Sequence, residues 1–183
     1  MRFHKEYPGI ELDLTIGNTR TVTEAVIEGT AELGFVEGEV DVPALSMKVV
    51  AQDALVIVVP PAHPWADGRQ LSVSDLASGT SWVMREEGSG TRSEFENAIA
   101  KLGASPRDLG VALVLPSNEA VLSAVCSGQS AAAISSAAAG AYLGQGLLVQ
   151  AAFDLPVRSF RLLRHKERHA SKAALTLEAM CKG

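Results

Sequence analysis

The residues with the most evident chemistry lie in one run of eight, Arg85-Glu86-Glu87-Gly88-Ser89-Gly90-Thr91-Arg92. The apolar run 81–84 precedes it. After it, Phe95, Ala98, Ile99 and Leu102 fall at i, i+3, i+4 and i+7, so the order is strand, glycine-rich turn, helix. Thr91 with Glu94 three residues later fits a capping box that makes Thr91 the N-cap. Gly88 and Gly90 carry no Cβ to hold a ligand off the backbone, and they allow positive φ where the turn needs it. The N–H groups of the first helical turn, the positive end of the helix dipole, Arg85 and Arg92 then converge on one small volume suited to an anion. Charge-assisted hydrogen bonds of about 1.5–3 kcal/mol each would hold a small carboxylate, sulfate or phosphate there. The same residues also read as an ordinary capped helix start with solvated arginines.

Ligands of open α/β sheets sit outside the carboxyl ends of the strands. The other turns at such ends are Gly17-Asn18-Thr19, Glu37-Gly38, Ser117-Asn118-Glu119 and Ser135-Ser136, nearly all small or polar. Glu37, Asn118 and Ser135 are therefore second candidates for ligand contact beside Arg85, Ser89, Gly90, Thr91 and Arg92, although each also suits a helix cap. Glu86, Glu87 and Glu119 oppose an anion unless they pair with Arg85 or Arg92 or sit at a helix N-terminus. Nothing assigns a catalytic residue, a metal or a cofactor: no Ser–His–Asp or Cys–His grouping is evident, no Walker lysine follows the glycine turn, and no ligand spacing suits a metal. His63, beside Pro64, reads as structural.

These turns need elements to carry them. Phe3 and Tyr7 read as the end of a helix stopped at Pro8-Gly9. Ile10, Leu12, Leu14 and Ile16 alternate with polar residues as in a strand, Thr21 and Glu24 open a helix that Gly29 closes, and 33–36 is a buried strand, which makes one βαβ unit. Two strands follow at 45–51 and 54–59. The chain then crosses over in extended form through Pro60-Pro61 and His63-Pro64. A brief helix capped by Ser72 and Asp75 precedes strand 81–84, helix 91–102, strand 111–115, helix 118–127, strand 131–134, strands at 147–149 and 158–163, and a closing helix over 170–181. The second run implies a second α/β lobe and a hinged pair with a cleft between the two.

With 183 residues, 47% of them hydrophobic and 20% charged, the chain is long enough for a real core. No apolar run reaches the ~20 residues of a membrane helix, no secretory signal opens the sequence, and no membrane partner is implied. Cys126 and Cys181 read as buried free thiols of a reducing cytoplasm. A net charge of −5 argues against a nucleic-acid surface, and the basic cluster Arg158, Arg161, Arg164, His165, Lys166, Arg168, His169 and Lys172 reads as a solvated or partner-facing surface.

The order of motifs resembles the effector-binding domain of LysR-type transcriptional regulators. The matching pieces are Phe3…Tyr7-Pro8-Gly9-Ile10-Glu11-Leu12, Leu33-Gly34-Phe35-Val36-Glu37-Gly38, Val58-Val59-Pro60 with His63-Pro64, the Arg85 to Arg92 turn, and Ser117-Asn118-Glu119-Ala120. The resemblance covers nearly the whole chain. It implies a two-lobed type II periplasmic-binding-protein-like α/β fold with two crossover strands, subdomain I over 1–59 with 162–183 and subdomain II over 60–161. It also implies a small, anionic effector in the interlobe cleft, no enzymatic activity, DNA binding only through an N-terminal winged helix-turn-helix that this chain lacks, and a homodimer or tetramer in the full-length protein. In the family a strand and a helix come before the Phe…Tyr-Pro stretch; here Met1 falls inside that helix, so subdomain I is expected to lack its first strand and to be unstable or completed by a partner chain. Two alternatives remain: a stand-alone solute-binding protein, or an enzyme whose glycine turn holds a phosphate, with Glu86 or Glu119 as the nominated base.

Overall fold

The computed structural model describes residues 2–38 and 40–181; Met1, expected within a helix, lies outside them. The elements are α1 (Arg2–Glu6), α2 (Thr19–Glu28), β1 (Gly34–Glu37), β2 (Leu45–Val59), α3 (Val73–Ser78), β3 (Ser81–Arg85), α4 (Gly90–Lys101), β4 (Gly110–Leu115), α5 (Asn118–Ser127), β5 (Ala132–Ser135), α6 (Ser136–Gly144), β6 (Val149–Gln150), β7 (Val157–His165) and α7 (Lys172–Met180). One sheet runs β1-β7-β2-β5 with β6 also on β2, and β3 pairs with β4 in parallel. The chain packs as two units, Met1–Gln52 with Ser159–Gly183, and Asp53–Arg158. These boundaries fall inside β2 and β7; the family resemblance implies 59/60 and 161/162. The apolar run of β2 continues past Asp53, so one strand of 15 residues replaces two expected strands and is itself the crossover.

In the first unit, Asn18 caps α2 by accepting from the Thr21 N–H at 3.0 Å, which starts the helix earlier than the expected Thr21–Glu24 box. Gly29 closes α2 at φ 80°, as its place after the last apolar residue suggests. The buried face of α2 presses on β1. A Cβ on Gly34 would lie 2.8 Å from Val22 and 2.9 Å from Val26, so this approach requires glycine. β1 lies antiparallel to β7, with Phe35 opposite Leu162.

The alternating stretch at 10–16 is not a strand: 11–18 have no regular structure, and Leu14 and Ile16 are 78% and 90% exposed. Alternation selects which face would be buried, but a strand forms only where a neighbour satisfies its N–H and C=O groups. No strand among the described residues pairs with it. The expected βαβ unit therefore does not form here.

The basic cluster is corrected as well. Arg168 donates to the carbonyls of Ile27 and Glu28 at the end of α2, Lys166 to that of Pro43 and Arg161 to that of Gly38, while Arg164 lies 3.3 Å from Glu178. These cations tie strand and helix ends together rather than forming only a solvated face.

In the second unit β2, β3 and β5 alternate residue by residue between two cores, while β4 is exposed over 110–114. Leu55, Ile57 and Val59 of β2, Trp82 and Met84 of β3, and Ala133 of β5 enter one core cluster with Phe95 and Ile99 of α4. Val56 and Val58, Val83, Ala132 and Ile134 enter another, with Val121, Leu122 and Val125 of α5 and Ala139 of α6. Strands covered on both faces read as continuous apolar runs, which is why they stand out in the sequence. The sequence pattern leaves 136–144 unassigned, since alanine and glycine carry no helical periodicity there. Ser135 nonetheless caps α6 at the Ala138 N–H, 3.3 Å away.

His63 caps a short 3-10 turn, Pro64–Asp67, with its Nδ1 accepting from the Trp65 N–H at 3.1 Å and its Nε2 2.9 Å from Thr80 Oγ1. Burial lowers its pKa from 6.5. The neutral ring is favoured in the fold, so its contribution is present above the unfolded pKa and is lost as pH falls through the lower folded value. Urea midpoints at pH ~7.5 and ~5.5 check this: the wild type loses stability on acidification, and His63→Asn, which still caps but does not titrate, loses less. The cysteines are half-buried free thiols, and burial raises the Cys126 pKa.

Candidate functional site

The strand order puts the Arg85–Arg92 turn at the end of β3, beside the Ser117–Asn118 turn that follows its parallel neighbour β4. The Glu86 N–H donates to the Leu115 carbonyl at 3.1 Å, which fixes the two turns against each other. Gly88 takes φ 89°, the left-handed conformation expected of it. Arg85 is held by Glu86 through two bonds of 2.9 and 3.0 Å and by Asn118 Oδ1 at 2.5 Å. Arg92 pairs with Glu96, one helical turn on, at 2.7 Å. Both arginines of the motif thus face carboxylates, and Glu86 is engaged rather than poised as a base.

The helix begins one residue after Ser89, so Thr91 is not the N-cap. Ser89 has extended backbone angles at the cap position, yet its side chain makes no capping bond. It is 3% exposed. The Gly90 and Arg92 N–H groups have no partner within the helix, as geometry requires of a first turn. Thr91, 1% exposed, instead accepts at Oγ1 from Arg158 Nη1 at 3.1 Å.

Arg158 leads to residues that sequence reasoning missed. Its Nη2 and Nε lie 2.9 and 3.3 Å from Asp53 Oδ2, with the two side chains 1% and 4% exposed. Asp53 Oδ1 accepts from Ser136 Oγ at 2.9 Å and the Ala137 N–H at 3.4 Å. Burial pushes the Asp53 carboxyl up, but hydrogen bonds from Ser135, Arg158 and Ser136 outweigh it and hold the pKa below the ordinary value. Arg85, Ser89, Gly90, Thr91, Arg92 and Asn118 are thus brought together, and Ser135 joins through Asp53. Glu37 belongs to the other unit, where its carbonyl accepts from Thr19 Oγ1 at 3.1 Å. A charged residue inside the apolar run of β2 was the available signal for Asp53. No group of three or more His, Cys, Asp and Glu among the described residues could hold a metal ion, and no helix among them is long and apolar enough to cross a membrane.

Two α/β units joined by two strands, with small and polar turns gathered at strand ends, define a ligand-binding domain of the type II periplasmic-binding-protein-like class. Residues 1–183 match the LysR substrate binding domain. The chain belongs to the LysR family of transcriptional regulators, as an effector-binding domain. It is 34% identical over 134 residues to the HTH-type transcriptional regulator CysL of Bacillus subtilis (strain 168), covering 73% of this chain and 44% of that protein. It is 30% identical over 178 residues to the uncharacterized HTH-type transcriptional regulator YeiE of Escherichia coli (strain K12), covering 94% and 58%. The chain therefore spans about half the length of these curated relatives. Its fold is similar to that of the Synechocystis PCC6803 CcmR regulatory domain in complex with 2-PG, with TM-score 0.87, 23% identity, and coverage of 98% of this chain and 86% of that one. It is also similar to the QuiR effector binding domain in complex with shikimate, with TM-score 0.84, 16% identity, and coverage of 98% and 85%.

Proposed function

We propose that this domain senses a small anionic effector held at the first turn of α4, by Ser89, Gly90 and Thr91, with Arg85, Asn118 and Ser135 shaping the surroundings, and that it catalyses no reaction. The observation that carries the reading is Ser89: a buried hydroxyl at a helix N-terminus that does not cap its own helix can turn to a ligand, beside the Gly90 N–H of the first turn. The ligands of the CcmR and QuiR domains support a small-molecule effector. In the full-length protein, a cytoplasmic homodimer or tetramer, effector binding biases DNA binding with a coupling free energy of about 1–3 kcal/mol.

Calorimetric titration of the chain with sulfate, phosphate and small carboxylates tests this. One saturable site per chain is expected, weakened about tenfold or more in Ser89→Ala through loss of a hydrogen bond to a charged ligand. Anion binding that Ser89→Ala leaves unchanged overturns the site.

A further inference from the structure

Among the described residues β4 pairs with β3 alone, so its second edge has no strand beside it. It is also uncovered: 110–114 are exposed, with Val111, Leu113 and Val114 at 42%, 50% and 50%. A free apolar edge is a template for a further strand. At the start of β4, Val111 and Leu109 share a cavity of about 440 Å³ with Arg92, Glu96 and Arg107. Glu96 is taken by Arg92 at 2.7 Å, and two guanidiniums against one carboxylate leave the cavity positive. The complement lies in the same sequence. Residues 10–16 carry a strand pattern with no strand to pair among the described residues, and Leu12, Leu14 and Ile16 are 42%, 78% and 90% exposed. Between them stand the exposed Glu11 and Asp13, so the segment is acidic where the cavity beside β4 is basic.

We propose that residues 10–16 of one copy of this chain add as a strand to the free edge of β4 in a second copy. The new ladder satisfies N–H and C=O groups on both sides, and the apolar side chains of the segment cover those of β4. Glu11 and Asp13 bring negative charge to the cavity of Arg92 and Arg107. Every copy carries one such segment and one such edge, matched in apolar pattern and opposite in charge, and this selects a second copy as the occupant. The inference concerns self-association of this chain and does not rest on the effector reading.

The test is sedimentation equilibrium of the 183-residue chain over a concentration series. The wild type is expected to dimerise. Leu14→Lys combined with Ile16→Lys changes two side chains that are exposed in the single chain, and Leu113→Glu changes β4. Each variant is expected to weaken self-association at least about tenfold. Mixing the two restores a dimer, because the intact segment of the one meets the intact β4 of the other. Arg107→Glu, at an exposed position, weakens the dimer about tenfold at low salt and less at high salt. A wild-type chain that stays monomeric at every concentration overturns the inference. So does a segment variant that dimerises like the wild type, which is the result if two β4 edges pair with each other. A mixture that stays monomeric overturns it too, as does a folded Leu113→Glu with wild-type association. If near-ultraviolet circular dichroism shows that Leu113→Glu does not fold, Arg107→Glu takes its place, and an unchanged dimer overturns the contact. None of these outcomes depends on an anion, so the Ser89 site stands or falls by its own titration.

Discussion

Asp53→Ala lowers the unfolding free energy by about 3–5 kcal/mol, because it leaves the Arg158 guanidinium buried without its counter-charge. The loss exceeds what deletion of an exposed pair such as Arg2–Glu6 produces, since an exposed pair is worth about 0–1 kcal/mol. Urea denaturation of the two variants makes the comparison, and equal midpoints would contradict the burial argument. The pair also carries a pH signature. The Asp53 pKa is lowered in the fold, so its contribution is present above the unfolded carboxyl pKa, about 3.9, and is lost as pH falls through the still lower folded value. Asp53→Asn therefore flattens the acid limb of the stability curve even where it lowers stability near neutrality.

Trp82→Ala is the second large effect, about 3–5 kcal/mol for a fully buried large aromatic. Trp82 is 0% exposed and stands between Trp65 and Phe95, with ring centroids 6.0 and 4.9 Å away. Its indole N–H donates to the Leu76 carbonyl at 2.9 Å, so truncation also orphans an acceptor. Phe95 sits on α4, and the helix that presents Ser89 and Thr91 loses its packing partner on β3. A drop in the urea midpoint together with weakened anion binding is expected. Trp82→Phe, which keeps an aromatic ring in the stack, recovers most of both, and equal losses in the two variants would contradict this account.

The sequence pattern led to β2, β3 and β5 of the second unit because those strands are covered on both faces. Burial on both sides leaves uninterrupted apolar runs at 55–59, 81–84 and 131–134, and the helices between them carry their own caps, as in the Ser72–Asp75 box, where both reciprocal bonds form. The family resemblance, carried by turns whose glycines and caps have local backbone causes, is matched by the whole chain. Reading failed where the deciding partner was remote. The alternation at 10–16 is a genuine strand pattern, but only an adjacent strand makes it one.

The amino-acid sequence by itself determined the α/β class, the family, the period-two packing of β2, β3 and β5 and the glycine turn with its helix, because each follows from neighbours within a few residues or from a pattern repeated along one element. Tertiary structure alone decided what surrounds that turn. It brought Asn118 onto Arg85, left Ser89 uncapped, and joined Asp53 to Arg158, 105 positions away. The pairing of buried charges is set by which strands meet in the sheet, and no local propensity records that.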